Sequence, residues 1–117
     1  MLIKTFETLE ELKEAAKTII SRRLYVNGYW MREVLGDFVE FGYSRYIYKI
    51  AIVYHEDVPI ACAVVDSQSC GMYYVRKPWR RKGIATDLCK LLKVKYNHGV
   101  GIKGSEKFFE SLGQRCL

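Results

Sequence analysis

A strongly basic turn between a predicted strand and a predicted helix constrains the fold of this chain more than any other feature. Residues 71–75 are apolar and aromatic, which indicates a strand, and five cations follow within the seven residues 76–82. From residue 83 to about residue 96, apolar residues recur at helical spacing: Ile84, Leu88 and Leu91, with Ala85, Leu92 and Tyr96 beside them. The N–H groups of a first helical turn have no intrahelical partner, and the helix dipole is positive there. This junction therefore predicts an anion-binding site.

The residues of this junction also follow a specific spacing. Two of them, Gly83 and Ala85, are small enough to let a bulky ligand approach the main chain closely. The pattern Val75-x-x-Pro78-x-Arg80-x-x-Gly83-x-Ala85 resembles motif A of the GCN5-related N-acetyltransferases. That motif has Arg or Gln, two residues, Gly, one residue, then Gly or Ala, usually after a strand that ends Val-x-Pro.

The resemblance implies that acetyl-CoA is the co-substrate. In the family, the loop and the helix start hold the pyrophosphate, and the backbone of the preceding strand aligns the pantetheine arm. The implied cofactor-binding residues are Tyr74, Val75, Arg80, Arg81, Lys82, Gly83, Ile84, Ala85, Thr86 and Phe109, of which Phe109 would line the pantetheine channel. The alternative interpretation is a basic, solvated strand-to-helix turn in another fold.

The predicted elements follow the order of the same family. The expected strands are 2–6, 46–54, 59–65, 71–75 and 100–102, and the expected helices are 8–23, 29–41, 83–96 and 105–113. The first helix opens with a capping-box pattern at Thr8 and Glu11, and Asn27-Gly28 interrupts the helical pattern after it. The order βααβββαβα predicts an α/β fold with a mixed sheet. Residues 108–113 resemble the family's motif B, so the resemblance runs from about Thr8 to Gly113.

Composition limits the protein class. The 117 residues suit one domain, 1–117, and no apolar run is long enough for a membrane span. The N-terminus lacks a signal-peptide layout and the four cysteines contain no CxxC pair, which predicts a cytoplasmic protein with reduced thiols. His55 and His98 have no metal-ligand spacing, so we expect no metal. The net charge of +6 fits either a polyphosphate cofactor or a nucleic acid.

The residues for proton transfer are where the sequence departs from the family pattern. The family's frequent general acid is a tyrosine in motif B, and Phe109 stands at that position. Candidate proton donors are Tyr73 and Tyr74, and candidate bases are Asp66, Glu40 and His55. Each candidate also has a structural interpretation, as a core residue for the tyrosines and as a turn residue for Asp66 and His55. The sequence does not decide which residues are catalytic.

Only residues 114–117 follow the last predicted helix. The chain therefore resembles a minimal, C-terminally truncated family member that lacks the final strands. The strand 100–102 would then be an exposed parallel edge, which proteins usually cover. This predicts either a homodimer or a macromolecular acceptor on that edge.

Three functions agree with these features. The first is an N-acetyltransferase that moves an acetyl group from acetyl-CoA to an amine, such as a protein lysine or N-terminus, by direct attack in a ternary complex. The second is a non-catalytic protein of the same fold whose basic loop binds nucleic acid or an acidic protein. The third is a sensor that binds acyl-CoA without turnover.

Overall fold

A computed structural model describes residues 1–26, 30–42, 47–66, 69–97 and 115–116 of the chain. It contains three α-helices and one sheet within these residues. The elements are β1 Leu2–Phe6, α1 Leu9–Ser21, α2 Trp30–Phe41, β2 Lys49–His55, β3 Val58–Val65, β4 Cys70–Val75, a 3-10 turn Lys77–Trp79, α3 Ile84–Leu92, β5 Tyr96–Asn97 and β6 Arg115–Cys116.

The sheet is mixed, as the sequence predicted. Its strands lie in the order β1 to β6, with antiparallel pairing from β1 to β4 and parallel pairing from β4 through β5 to β6. The strands β2, β3 and β4 follow one another directly along the chain, whereas β1 connects to β2 through α1 and α2. At the β2–β3 turn, Glu56 and Asp57 both have positive φ, 50° and 66°, which matches the right-handed twist of a hairpin.

Helices cover both faces of the central strands. The apolar faces of α1 and α2 pack on one side of β2, β3 and β4, where Ile19, Phe38 and Ile52 are fully buried. On the other side α3 packs through Ile84, Leu88 and Leu92. Residues 59–66 are buried without interruption, which explains why the strand sequence is apolar on both faces.

The start of α1 is as the sequence indicated. The Thr8 hydroxyl accepts a hydrogen bond from the Glu11 N–H at 3.3 Å, and the Glu11 carboxylate accepts one from the Thr8 N–H at 3.1 Å. The hydrogen bond from the Thr8 N–H, with a second one that the Thr8 hydroxyl donates at 2.9 Å, holds the pKa of Glu11 below its usual value, because both favour the charged carboxylate. Thr8 and Glu11 together satisfy two N–H groups that a helix start otherwise leaves open.

The end of α3 differs from the prediction. We expected the helix to run to about Tyr96, but it ends at Leu92. Lys93 adopts a left-handed conformation with φ 54°, and the Val94 N–H donates to the Cys89 carbonyl at 3.1 Å, which closes the helix. The N–H groups of Lys95 and Tyr96 then donate to the Ser69 carbonyl at the start of β4. The helical spacing of apolar residues in the sequence continues past Leu92, but hydrogen bonding to the sheet, and not this spacing, determines the backbone conformation of Lys95 and Tyr96.

The strand after α3 also begins earlier than expected. The parallel partner of β4 is β5 at Tyr96–Asn97, and β6 pairs along the outer side of β5. Residues 115–116 thus add a short strand that we had not expected. The expectation of a homodimer or a macromolecular acceptor rested on an exposed edge at residues 100–102, and it stays a prediction. The predicted strand 100–102, the helix 105–113 with motif B, and the Asn27-Gly28 break lie outside the described residues.

We predict that Gly71→Ala destabilises the protein. A Cβ atom at Gly71 would lie 2.9 Å from both the Tyr73 hydroxyl oxygen and the Val94 Cγ1 atom, so the buried inner end of β4 would have to shift. Overpacking of this kind costs about 1–3 kcal/mol of unfolding free energy, measurable by urea denaturation. The matched control is Gly36→Ala inside α2, whose new Cβ meets only the movable end of the exposed Arg32 side chain. That variant should gain about 0.5–1 kcal/mol, and equal effects of both variants would contradict the prediction.

Candidate functional site

The sheet opens between β4 and β5. β3 pairs with β4 from Gly71 to Val75, whereas β5 pairs only with Cys70 and Gly71. The Arg76 N–H donates to the Ile60 carbonyl on the β3 side at 2.9 Å. Because backbone groups alternate along a strand, the N–H and C=O of Val75 point to the opposite side, where no described residue of β5 pairs with them.

Arg80 lies at the mouth of this opening. Its Nε–H donates to the Val75 carbonyl at 2.8 Å, and its guanidinium carbon lies 5.8 Å from the centre of the Tyr74 ring. The side chain thus brings a positive charge to the open edge of β4. The Val75 N–H remains directed at the same edge, and the sequence had assigned the strand end near Val75 to a cofactor.

The start of α3 faces open space. Gly83 is its N-cap with φ 81°, and a Cβ atom there would meet nothing within 4 Å. Asp87 N–H donates to the Gly83 carbonyl and closes the first turn, so the N–H groups of Ile84, Ala85 and Thr86 have no intrahelical acceptor. The Ile84 side chain is buried in the core, so this residue offers a ligand only its backbone.

The charge of the chain is concentrated around this site. Residues 76–82 hold five of the 19 cations and none of the 13 acidic residues, so they carry +5 and the rest of the chain carries +1. Arg80, Arg81 and Lys82 are exposed in the loop before α3. Arg81 has φ 63°, which together with Gly83 winds the loop tightly in front of the helix. Exposed cations, free N–H groups and a helix N-terminus together suit an anionic ligand.

Two residues of the basic turn have structural contacts instead. The Arg76 guanidinium donates to the Pro59 carbonyl at 3.1 Å and to the Arg22 carbonyl at the end of α1 at 2.8 Å. Trp79 packs on the α3 side of the core, with its ring 4.5 Å from that of His55 and the Lys82 Nζ 5.8 Å from its centre. Sequence reasoning missed the two hydrogen bonds of Arg76 and the contact of Trp79 with His55, since each joins residues far apart in the chain.

The structure separates the catalytic candidates. Tyr74 lies beside Arg80 on the α1–α2 face of the sheet, whereas the buried Tyr73 hydroxyl lies on the α3 face above Gly71. Asp66 lies at the opposite end of β4 from the basic loop, where its carboxylate accepts a hydrogen bond from the Cys70 N–H at 3.0 Å. Of the expected candidates, Tyr74 is therefore at the opening and Asp66 is not.

The other expected residues have the following positions. His55 reaches the loop through its contact with Trp79, and Glu40 is exposed on α2. Phe109 lies outside the described residues, so its assignment stays a prediction.

Cys62 and Cys70 are not activated nucleophiles. Burial raises the pKa of Cys62 to about 12, and its thiol donates to the Leu24 carbonyl. Burial and the neighbouring Asp66 carboxylate raise the pKa of Cys70. Among the described residues, no three His, Cys, Asp or Glu side chains come together to hold a metal ion. Within the same residues, no helix is both long and apolar enough to span a membrane.

Comparison with known proteins identifies the fold. No protein-family profile matches the sequence, and no curated protein is similar to it at the sequence level. The structure is similar to an aminoglycoside N-acetyltransferase AAC(6')-Iy in complex with CoA, with a TM-score of 0.59, 14% identity, and coverage of 97% of this chain and 88% of the other. It is also similar to a possible acetyltransferase from Clostridium difficile 630, with a TM-score of 0.56, 17% identity, and coverage of 100% and 93%. The chain therefore has the fold of the GCN5-related N-acetyltransferases.

Proposed function

We propose that this chain is an N-acetyltransferase that moves an acetyl group from acetyl-CoA to an amine by direct attack in a ternary complex. The observation that carries the proposal is the position of the basic, open N-terminus of α3 beside the outer end of β4, whose edge no strand of the described residues pairs with. A pyrophosphate needs the basic helix N-terminus, and an extended pantetheine arm needs the open strand edge. A structural neighbour that is in complex with CoA supports the same ligand.

The site fits the phosphates of acetyl-CoA. The free N–H groups of residues 84–86 and the exposed side chains of Arg81 and Lys82 would hold the pyrophosphate, and the space above Gly83 leaves room for it. The pantetheine amides would pair with the open edge of β4. When bound, acetyl-CoA supplies the thioester that the amine attacks.

Chain residues would stabilise the reaction in three ways. The Val75 N–H points at the open edge, where it can donate to the thioester oxygen as negative charge develops on it. As the new C–N bond forms and the C–S bond breaks, the amine loses a proton and the CoA sulfur gains one. Tyr74 is the candidate donor to the sulfur, because it is the expected tyrosine that lies at the opening beside Arg80. Holding both substrates in one site supplies further rate by orientation.

Turnover on a panel of amines tests the proposal. Purified protein would be mixed with acetyl-CoA and, in turn, lysine peptides, peptides with free N-termini and small polyamines, with release of CoA thiol and mass of the product as readouts. We expect acetylation of at least one class, absent in a Gly83→Glu variant. Binding of acetyl-CoA without turnover on any amine would favour an acyl-CoA sensor instead.

A Tyr74→Phe variant tests the proton donor. Removal of the hydroxyl should lower kcat about 100-fold, which is the low end for general acid catalysis, while the affinity for acetyl-CoA stays unchanged. Tyr73→Phe is the matched control, because its hydroxyl is buried on the other face of the sheet. If Tyr74→Phe turns over at the parental rate, the hydroxyl is not the donor.

The alternative function is a non-catalytic protein that binds nucleic acid or an acidic partner through the same loop. The five cations within residues 76–82 favour it. Oligonucleotide binding that falls steeply with salt, together with no affinity for acetyl-CoA, would support this function over the enzyme.

A further inference from the structure

A second basic surface lies at the other end of α3 from the loop. The lysine surface consists of Lys90, Leu91, Lys93, Lys95 and Tyr96. All three lysines are exposed, and so are Leu91, at 50%, and Tyr96, at 36%. The nine residues of α3 span about 13 Å, so this surface is separate from the helix N-terminus.

Within the part of the chain that the structure describes, no acidic side chain pairs with the charges of this surface. Two of the last four carbonyls of α3 accept from backbone N–H groups, since Lys93 N–H donates to the Lys90 carbonyl and Val94 N–H to the Cys89 carbonyl. None of the three lysines forms an ion pair with a described residue. The helix dipole accounts for one cation in the last turn, Lys90, but Lys93 and Lys95 follow the helix. No acidic residue occurs in the sequence from 88 to 105.

The surface is also fixed in position. Lys95 and Tyr96 N–H groups both donate to the Ser69 carbonyl, at 3.0 and 3.1 Å, and Val94 is buried between the lysines on either side of it. The chain therefore presents the cations and the two apolar side chains on a backbone held by the sheet. A preorganised surface loses little conformational entropy when it binds.

We propose that the lysine surface docks an acidic protein segment that also carries an aliphatic side chain. The lysines match the negative charges, and the exposed Leu91 needs an apolar contact that a phosphodiester backbone does not offer. Lysine without arginine is also less suited to paired recognition of phosphate oxygens. The inference does not rest on the proposed acetyl transfer, because the surface shares no residue with the loop.

Peptide binding tests the inference. The probe is a fluorescein-labelled peptide in which aspartate and glutamate alternate with leucine, followed by anisotropy beside a leucine-free acidic peptide and a single-stranded oligonucleotide of equal charge. We expect Lys95→Glu and Leu91→Ser each to weaken binding of the first peptide about tenfold. The matched controls on α1, Lys17→Glu and Leu9→Ser, replace an exposed lysine and an exposed leucine and should leave binding unchanged.

Four results would overturn the inference. The first is no binding of the leucine-containing peptide by the parent protein. The second is equal weakening by Lys17→Glu or by Arg81→Glu, which would indicate general charge attraction or binding at the loop. The third is tighter binding of the oligonucleotide with no effect of Leu91→Ser, which would indicate a nucleic-acid surface. The fourth is self-association of the parent that Lys95→Glu abolishes, which would make a second copy the occupant.

Discussion

Gly83→Glu should abolish the binding of acetyl-CoA while the protein stays folded. The Cβ of residue 83 points into open space in front of α3, so the new carboxylate would occupy the position proposed for the pyrophosphate. A negative charge there repels the ligand and competes for the free N–H groups of the first turn. We expect affinity to fall at least about 100-fold, which corresponds to the loss of roughly 3 kcal/mol. Isothermal titration calorimetry measures it.

The control for this prediction is Gly83→Asn. The φ of 81° is left-handed, a conformation that asparagine tolerates better than most residues, and asparagine is also a good N-cap. Gly83→Asn therefore shares the backbone strain without the added charge, and its affinity should fall far less than that of Gly83→Glu. Equal losses would indicate that loop conformation, rather than charge at the phosphate position, decides binding.

Val75→Pro should remove most of the turnover and leave the fold intact. Proline has no N–H, and the N–H of Val75 points to the edge of β4 away from β3, so no sheet hydrogen bond between described residues is lost. If this N–H polarises the thioester, its loss should lower kcat about 100- to 1,000-fold, as for other oxyanion donors. Turnover with the best acceptor of the amine panel, and thermal unfolding, are the two measurements.

Tyr74→Pro is the matched control, because it removes a backbone N–H that points in the opposite direction from that of Val75. The N–H of Tyr74 points to β3, by alternation with the Arg76 and Val75 groups, so proline there breaks the centre of the sheet and should cost about 3 kcal/mol or more. Val75→Pro with parental turnover would remove the N–H from the mechanism. Val75→Pro that unfolds as readily as Tyr74→Pro would show that the edge at Val75 is not open.

Local chemistry made much of the fold predictable. The capping box fixed the start of α1 because its two hydrogen bonds involve residues three apart, and β-branched runs marked β2 and β3. The end of α3 was not predictable from spacing. It depends on Lys93 in a left-handed conformation and on N–H groups that donate to Ser69, a residue more than 20 positions earlier. Pairing with a distant strand overrides periodicity.

The candidate site also contains both residues whose positions were predictable from local sequence and residues whose positions were not. The position of Gly83 at the start of α3 was predictable because a basic loop before a helix is a local pattern, and Gly83 is the N-cap of that helix. Arg76 was not, because its guanidinium bonds to the Arg22 carbonyl, 54 residues away. The position of Asp66 at the far end of β4 follows from how β3 and β4 pair, which residue type alone does not reveal.

Amide hydrogen exchange, followed by mass spectrometry with and without acetyl-CoA, tests the central claim most directly, because it reports where the ligand binds. The account predicts that acetyl-CoA slows exchange in the loop and first turn of α3, residues 80–86, and along the edge of β4 at Val75. Exchange at Lys93 and Lys95 should not change. Protection confined to other residues, or no protection at any concentration of acetyl-CoA, would contradict the proposal that this basic loop holds the cofactor.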